Sequence, residues 1–363
     1  MNYDENLARE RRKDEHVDLA LGLKRDSESH FDQLIFVHHS LPNIDWNDVD
    51  LQVQLSHFTL KTPIYINAMT GGSKRTGTIN GELAKVAQAT GMAMAVGSQH
   101  AGLRNEAVVD TYKIVRRYNP DGIVFANVGA DVPEHLALKA IDMLEANALQ
   151  IHINVPQELV MPEGGREFST WLSGIENIVK QVEIPVIVKE VGFGMSSNTI
   201  AQLKNVGVNY VDVSGRGGTN FIGIENERRQ KKEYDYLKTW GQTTPIALLE
   251  AHKFMEDMTI FASGGIRNPL DIIKALSLGA SATGIARPVL KLIHDEGADS
   301  AIKEMLSWQD QLRTIMTMLG ATNIYELRNA PLLITKDVRE WCELRGIEVK
   351  PFAQRKWKHD STF

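Results

Sequence analysis

Eight short apolar runs, each ending in small or polar residues, constrain the fold of this chain more than any other feature. They are Ile64–Asn67, Met92–Val96, Gly122–Asn127, Leu149–Asn154, Val186–Lys189, Tyr210–Val213, Ile260–Ala262 and Ala282–Ile285. Most are continuous rather than alternating, as expected of parallel strands covered on both faces. Helical patterns lie between them, among them Ile79–Thr90, Val132–Asn147, Asn198–Val206 and Pro269–Leu278, and Gly91, Gly207 and Gly279 mark helix ends as C-cap glycines do. Eight strands with intervening helices fit a closed (β/α)8 TIM barrel better than an open doubly wound sheet.

Such a barrel takes ~250 residues, and the chain has 363. The surplus is expected as extensions: 1–60 before the barrel, 61–290 as the barrel, and 291–363 as C-terminal helices completing it. Within these, Asn6–Asp14 is a charged helix candidate and Phe31–His39 a short capping element, while Ala301–Met318 and Asp337–Leu344 carry amphipathic helical patterns. A net charge of −6 argues against a general nucleic-acid binder. The first 25 residues carry charge throughout and lack the apolar core of a signal peptide. No apolar run approaches the ~20 residues of a membrane span. The one cysteine, Cys342, rules out an intramolecular disulfide or a Cys-rich metal site. A soluble cytoplasmic protein is expected.

Chemistry in such a barrel sits at the carboxyl ends of the strands. Runs seven and eight end in Ser263-Gly-Gly-Ile-Arg267 and Ala286-Arg287, paired glycines and cations where barrels of this type place a phosphate site. Run one ends in Ala68-Met-Thr-Gly-Gly72, which reads equally as a bed for a flat ring or as a plain turn. Run two ends in Gly97-Ser-Gln-His100, and run three in Ala126-Asn-Val-Gly129, where Asn127 is either a turn former or an amide for a ring's polar edge. Run four gives His152, Asn154, Gln157 and Glu158. His152 reads equally as a core histidine, and Glu158 suits Mg2+, a hard cation held by one or two carboxylates plus substrate phosphates. Run five ends in Lys189-Glu190; a local ion pair between them is disfavoured because successive strand side chains face opposite ways. Run six leads into Ser214-Gly-Arg-Gly-Gly-Thr-Asn220, a ring or phosphate contact or else a surface loop. The long interval 215–242 reads either as a mobile active-site loop or, in its charged part Glu225–Glu233, as a solvated insertion.

Together with Arg12-Lys13-x-x-His16, these motifs resemble the type 2 isopentenyl-diphosphate isomerases over nearly the whole chain. Val188-Lys-Glu-Val-Gly-Phe-Gly194 and Asp212-Val-Ser-Gly-Arg-Gly-Gly-Thr-Asn220 belong to the same pattern. The resemblance implies an FMN-dependent barrel enzyme interconverting isopentenyl and dimethylallyl diphosphate. It implies FMN in its reduced form, NADPH as reductant, Mg2+, and a homo-oligomer, tetramer or octamer. Ala68, Met69, Thr70, Ser98, Asn127, Lys189, Ser214, Thr219, Gly264, Gly265, Arg267, Ala286 and Arg287 are then like the family's FMN contacts. Arg12 and Lys13 would take the substrate diphosphate, although the residues by themselves favour a solvated helix face. Ser98, Gln99, His100, His152, Asn154 and Gln157 would line the substrate side, with His152, Asn154 and Gln157 assisting the flavin, and Glu158 would hold Mg2+. His100 departs from the pattern, standing where many relatives have Arg.

Three other functions share parts of this pattern. An FMN-dependent 2-hydroxy-acid oxidase uses a His just before a Gly-Gly pair near strand seven; here that stretch is Ala262-Ser-Gly-Gly265. A nucleophilic-Cys barrel enzyme needs its thiol in a barrel loop, and Cys342 lies in the C-terminal helical region. A flavin-binding barrel without catalysis requires no carboxylate such as Glu158 at its mouth.

Overall fold

The computed structural model describes residues 3–22 and 29–357, with side chains from residue 10 onward; the outermost parts of both expected extensions lie outside these. Eight parallel strands close into a barrel: β1 (Ile64–Ile66), β2 (Ala93–Ala95), β3 (Val124–Gly129), β4 (Ala148–His152), β5 (Val186–Lys189), β6 (Tyr210–Asp212), β7 (Thr259–Ser263) and β8 (Ala282–Ile285). Closure is made by β8 against β1, with Gly284 opposite Tyr65. All eight coincide with the expected runs. The largest shift is β3, which continues two residues further, to Gly129, because Asn127 to Gly129 pair with Gln150 to His152 of β4.

The longer helices are α1 (Tyr3–Gly22), α2 (Lys74–Thr90), α3 (Asp110–Tyr118), α4 (Glu134–Leu144), α5 (Val155–Val160), α6 (Trp171–Gln181), α7 (Ser197–Asn205), α8 (Phe221–Glu227), α9 (Thr244–Ala251), α10 (Pro269–Ser277), α11 (Arg287–Glu296), α12 (Ala298–Met318) and α13 (Lys336–Arg345), with single turns at His100–Arg104 and Lys350–Ala353. Their ends follow local chemistry. Ser73 caps α2 by accepting from the Thr76 N–H at 3.1 Å, and Gly91 ends it at φ +70°. Asn268 caps α10, whose first residue is Pro269. The expected helix at Asn6–Asp14 is the middle of the longer α1. Among the described residues, no helix is long and apolar enough to cross a membrane.

The barrel interior is aromatic in its lower half. Tyr65 lies 5.9 Å from Phe125 and 5.7 Å from Phe261, ring centre to ring centre. A hairpin, Val53–Gln54 with Thr59–Leu60, plugs this end. Its turn sets Phe58 5.8 Å from Phe125 and brings Ser56 Oγ within 2.5 Å of the Tyr210 hydroxyl. The capping element expected at Phe31–His39 contains a strand, Leu34–Phe36, which pairs antiparallel with Leu332–Ile334 and so ties the two extensions together. α12 packs on α2, α10 and α11.

Candidate active site

At the other end of the barrel the strand termini surround a cavity of about 830 Å³. Its glycines are needed for contact between loops. Gly264 and Gly265 take φ +89° and +75°, and a Cβ on Gly264 would sit 2.0 Å from the Gly215 carbonyl oxygen. The loops after β6 and β7 therefore meet backbone to backbone, a concavity of main-chain groups suited to an anion. Ser214, with φ +26°, is a non-glycine residue held in the strained region. Its N–H donates to Asp212 Oδ1, and its carbonyl accepts from Gly192 and Gly194. Ala286 and Arg287 complete this side at the start of α11, and Arg287 also donates to the Leu21 carbonyl at 3.0 Å.

The floor is charged. Lys189 is 4 % exposed, and its Nζ donates to the Glu190 carbonyl at 2.8 Å. Burial lowers its pKa, against the opposing pull of Asp212 and Glu190. Asp212, directly across from Lys189 in the β5–β6 register, is fully buried. It accepts from the Tyr65 hydroxyl (2.6 Å) and the Ser263 hydroxyl (2.9 Å). The Glu190 carboxylate turns away from Lys189 and accepts the Val191 and Phe193 N–H groups. The local ion pair discounted from strand geometry is not formed.

The polar bank hangs from β4 and α5. Asn127 Nδ2 donates to the Val96 carbonyl (3.1 Å), so its Oδ1 accepts from His152 Nδ1 (2.9 Å). That leaves Nε2 of the imidazole as an acceptor. Burial, with Lys189 and Lys13 adding repulsion, pushes His152 down to about 3, so the ring is neutral at ordinary pH. Asn154 Nδ2 donates to Gln157 (3.2 Å) and to Glu158 (2.9 Å), and the second Glu158 oxygen accepts the Gly165 N–H. Gln157 Nε2 donates to Glu225 at 3.0 Å. α1 lies over the mouth and lines the cavity with Arg12, Lys13 and His16. Burial, helped by Arg12, lowers Lys13 to about 8.

Three expected site residues do not line this cavity. Gln99 is fully buried; its amide donates to the Ala140 carbonyl and accepts the Asn127 N–H, so it braces the loop instead of meeting a substrate. The Asn127 side chain bonds Val96 and His152 and so supports the imidazole from behind the cavity wall. Arg267 points outward to Asp271 (2.8 Å) and Asp32 (2.5 Å), so its charge is neutralised in an ion-pair cluster away from the phosphate loop. The other expected residues all line the cavity. Sequence reasoning missed Glu225, read as part of a charged insertion. It is fully buried on α8, beside Gln157, with Arg228 at 2.6 Å and His16 Nε2 at 3.0 Å. Burial alone would raise its pKa, but His16, Gln157 and Arg228 outweigh that and hold it down at about 2.

A closed parallel barrel whose glycine loops after β6 and β7 meet at the cavity is the architecture of the flavin-dependent barrel enzymes, and the profile of the FMN-dependent dehydrogenase family matches residues 126–334. Flavocytochrome b2 with pyruvate bound superposes with a TM-score of 0.67 over 94 % of this chain and 93 % of its own, at 18 % identity. Mandelate oxidase does so at 0.64 over 88 % and 96 %, at 15 % identity. These likenesses show the fold. Sequence resolves the family further: the isopentenyl-diphosphate delta-isomerase of Staphylococcus epidermidis is 53 % identical over 94 % of this chain and 98 % of its own, and that of Staphylococcus aureus 52 % over 95 % and 99 %. The chain belongs to the isopentenyl-diphosphate delta-isomerase family.

Proposed function

We propose that this chain interconverts isopentenyl and dimethylallyl diphosphate, with reduced FMN, NADPH as reductant, and Mg2+ between Glu158 and the diphosphate. One observation carries the reading. A single cavity joins a buried ammonium (Lys189), a glycine-built anion pocket (Gly264, Gly265), a carboxylate (Glu158), a neutral imidazole (His152) and two cations from α1, the Arg12 guanidinium and the Lys13 ammonium. The residues fit the flavin: the close backbone approach at Gly215 and Gly264 would cradle its phosphate, and Lys189 would face its electron-rich ring. They also fit Mg2+. Among the described residues no group of three or more His, Cys, Asp or Glu could hold a metal alone, but a lone carboxylate next to substrate phosphates is how Mg2+ is commonly held.

The reaction adds a proton at the terminal methylene carbon and removes one from C2. When bound, reduced flavin supplies an acid–base group beside carbon that the side chains of this wall do not. The chain's own residues bind and orient. Arg12 and Lys13 would neutralise the diphosphate, and Lys13, already lowered to about 8, gains its full charge as the anion arrives. His152, held by Asn127, presents an uncharged acceptor that does not repel a developing cation. Asn154 keeps Gln157 and Glu158 in register, while Val17, Met161 and Phe221 keep water from the carbon end.

The test is a spectrum followed by an assay. The purified protein is expected to be yellow or to become so with FMN, and to produce dimethylallyl diphosphate only after reduction by NADPH or dithionite, with Mg2+ present. A colourless protein that takes up no FMN, or equal turnover when oxidised and treated with EDTA, overturns the reading.

A further inference from the structure

Arg228 follows α8 and lines the cavity, yet every nitrogen of its guanidinium is already bonded to a carboxylate. NH1 donates to Glu225 (2.6 Å), NH2 to Glu163 (2.7 Å) and Nε to Glu15 (3.3 Å). Three of its five N–H donors are thus held by carboxylates that already balance its charge, so Arg228 serves first as a junction between their segments. Its three partners sit on three segments: α8, the turn after α5, and α1. Two of them have a second task. Glu225 receives the Gln157 amide and also meets His16 of α1 at 3.0 Å, and Glu163 receives Arg12 at 3.3 Å, so that α1 reaches this cluster through Arg12, Glu15 and His16.

We propose that Arg228 is a positioning residue that couples the seating of α1 over the mouth to the orientation of Gln157. This rests on the reading of Arg12, Lys13 and Gln157 as substrate contacts. The three bonds are unequal. Glu225 is fully buried, so opening its bond strands a charge in the wall. Glu163 and Glu15 are 42 % and 56 % exposed at the side chain, and such pairs are individually weak. The Glu225 bond is therefore the fixed anchor and the α1 bond the one that yields. Only a planar fork with donors on three sides spans all of them; a Lys ammonium is a point charge at one position.

The test uses the full-length, FMN-loaded protein, with amide hydrogen exchange and steady-state kinetics on isopentenyl diphosphate. In Arg228→Met, exchange in α1 and in Val155–Val160 is expected to quicken together by about tenfold, with KM raised and kcat lowered by about tenfold each. Glu15→Gln should quicken α1 alone and raise KM with kcat kept. Arg228→Lys, which keeps a charge beside Glu225, covers the case in which Arg228→Met does not fold. It should hold Val155–Val160 near wild type while α1 quickens and KM rises. Unchanged α1 exchange in Arg228→Met, or wild-type exchange and kinetics in Arg228→Lys, overturns the coupling. A wild-type protein that yields no dimethylallyl diphosphate sinks the functional reading instead, and the exchange comparison still decides the coupling.

Discussion

In the lower half of the barrel, Tyr65, Phe125, Tyr210 and Phe261 meet ring to ring, and the Ser56–Phe58 turn seals them with one more ring and hydrogen bonds to the Tyr210 hydroxyl. In the upper half the same strands deliver a buried lysine, a buried aspartate, a strained serine and an imidazole held uncharged. One end is filled by apolar contact and local hydrogen bonds. The other keeps charges out of water and faces a cavity. Tyr65 belongs to both: its ring packs below and its hydroxyl reaches Asp212 above. The contrast is the one expected of barrels of this kind, whose packed end serves stability while the C-terminal face is free to carry chemistry.

Breaking the lower end should cost the most. Phe125→Ala is expected to lower unfolding stability by about 3–5 kcal/mol while the folded fraction still binds FMN, as measured by denaturant melts with and without the cofactor. At the upper end, Lys189→Ala should weaken FMN binding by about ten- to a hundredfold, the worth of a hydrogen bond to a charged group. Its melt without FMN should fall less than that of Phe125→Ala, since losing a buried cation relieves its desolvation but leaves buried Asp212 without its counter-charge; a fall comparable to Phe125→Ala would erase the contrast. Glu158→Gln should keep the flavin and lose about 10- to 100-fold in Mg2+-dependent turnover, a ligand-level effect. Full turnover would remove the metal role.

A pH effect sharpens the same comparison. Burial pushes Glu190 up to about 8, against the pull of the Phe193 and Val191 N–H groups and Lys189. A carboxyl with a raised folded pKa favours folding below its unfolded value near 4.5, and that contribution is lost as pH rises through about 8. Melting temperature should fall across this window in the wild type and less so in Glu190→Gln; parallel curves would refute the assignment. The smallest effect at the site is expected for Arg267→Gln. With its guanidinium in the Asp32–Asp271 cluster, the change should cost about 1–3 kcal/mol of stability, since Asp271 is buried, and leave FMN affinity near wild type. A large loss of FMN would return Arg267 to the phosphate site.

The barrel was legible because each strand is a short continuous apolar run closed by glycine or a polar residue, and the site was legible because polar residues recur at one end of these runs. Boundaries shifted where pairing, not composition, decides them, as at Gly129. Glu225 was hidden by its neighbours: Arg228, Arg229, Lys231 and Lys232 make the segment read as solvated, and only the contact with Gln157 and His16 buries it. The signal that was present is the apolar stretch Phe221-Ile-Gly-Ile224 after Asn220, whose side chain caps α8 by accepting from Gly223. For Arg267 the available warning was Asp271 four residues on, a carboxylate in the first turn of α10. Nothing local marks Gln99 as a brace, since its partners lie on other strands and helices.

The strand Leu34–Phe36 has a consequence for how the chain comes into being. The Gln33 carbonyl beside it accepts from Thr335, 302 residues downstream. At roughly 5–20 residues per second of synthesis, that interval lasts about 15–60 s. Throughout it the early strand has no mate, although the barrel's own strands can emerge and pair in order. The segment 34–36 can therefore join its sheet only after residues 332–334 have been made, well after the strands of the barrel.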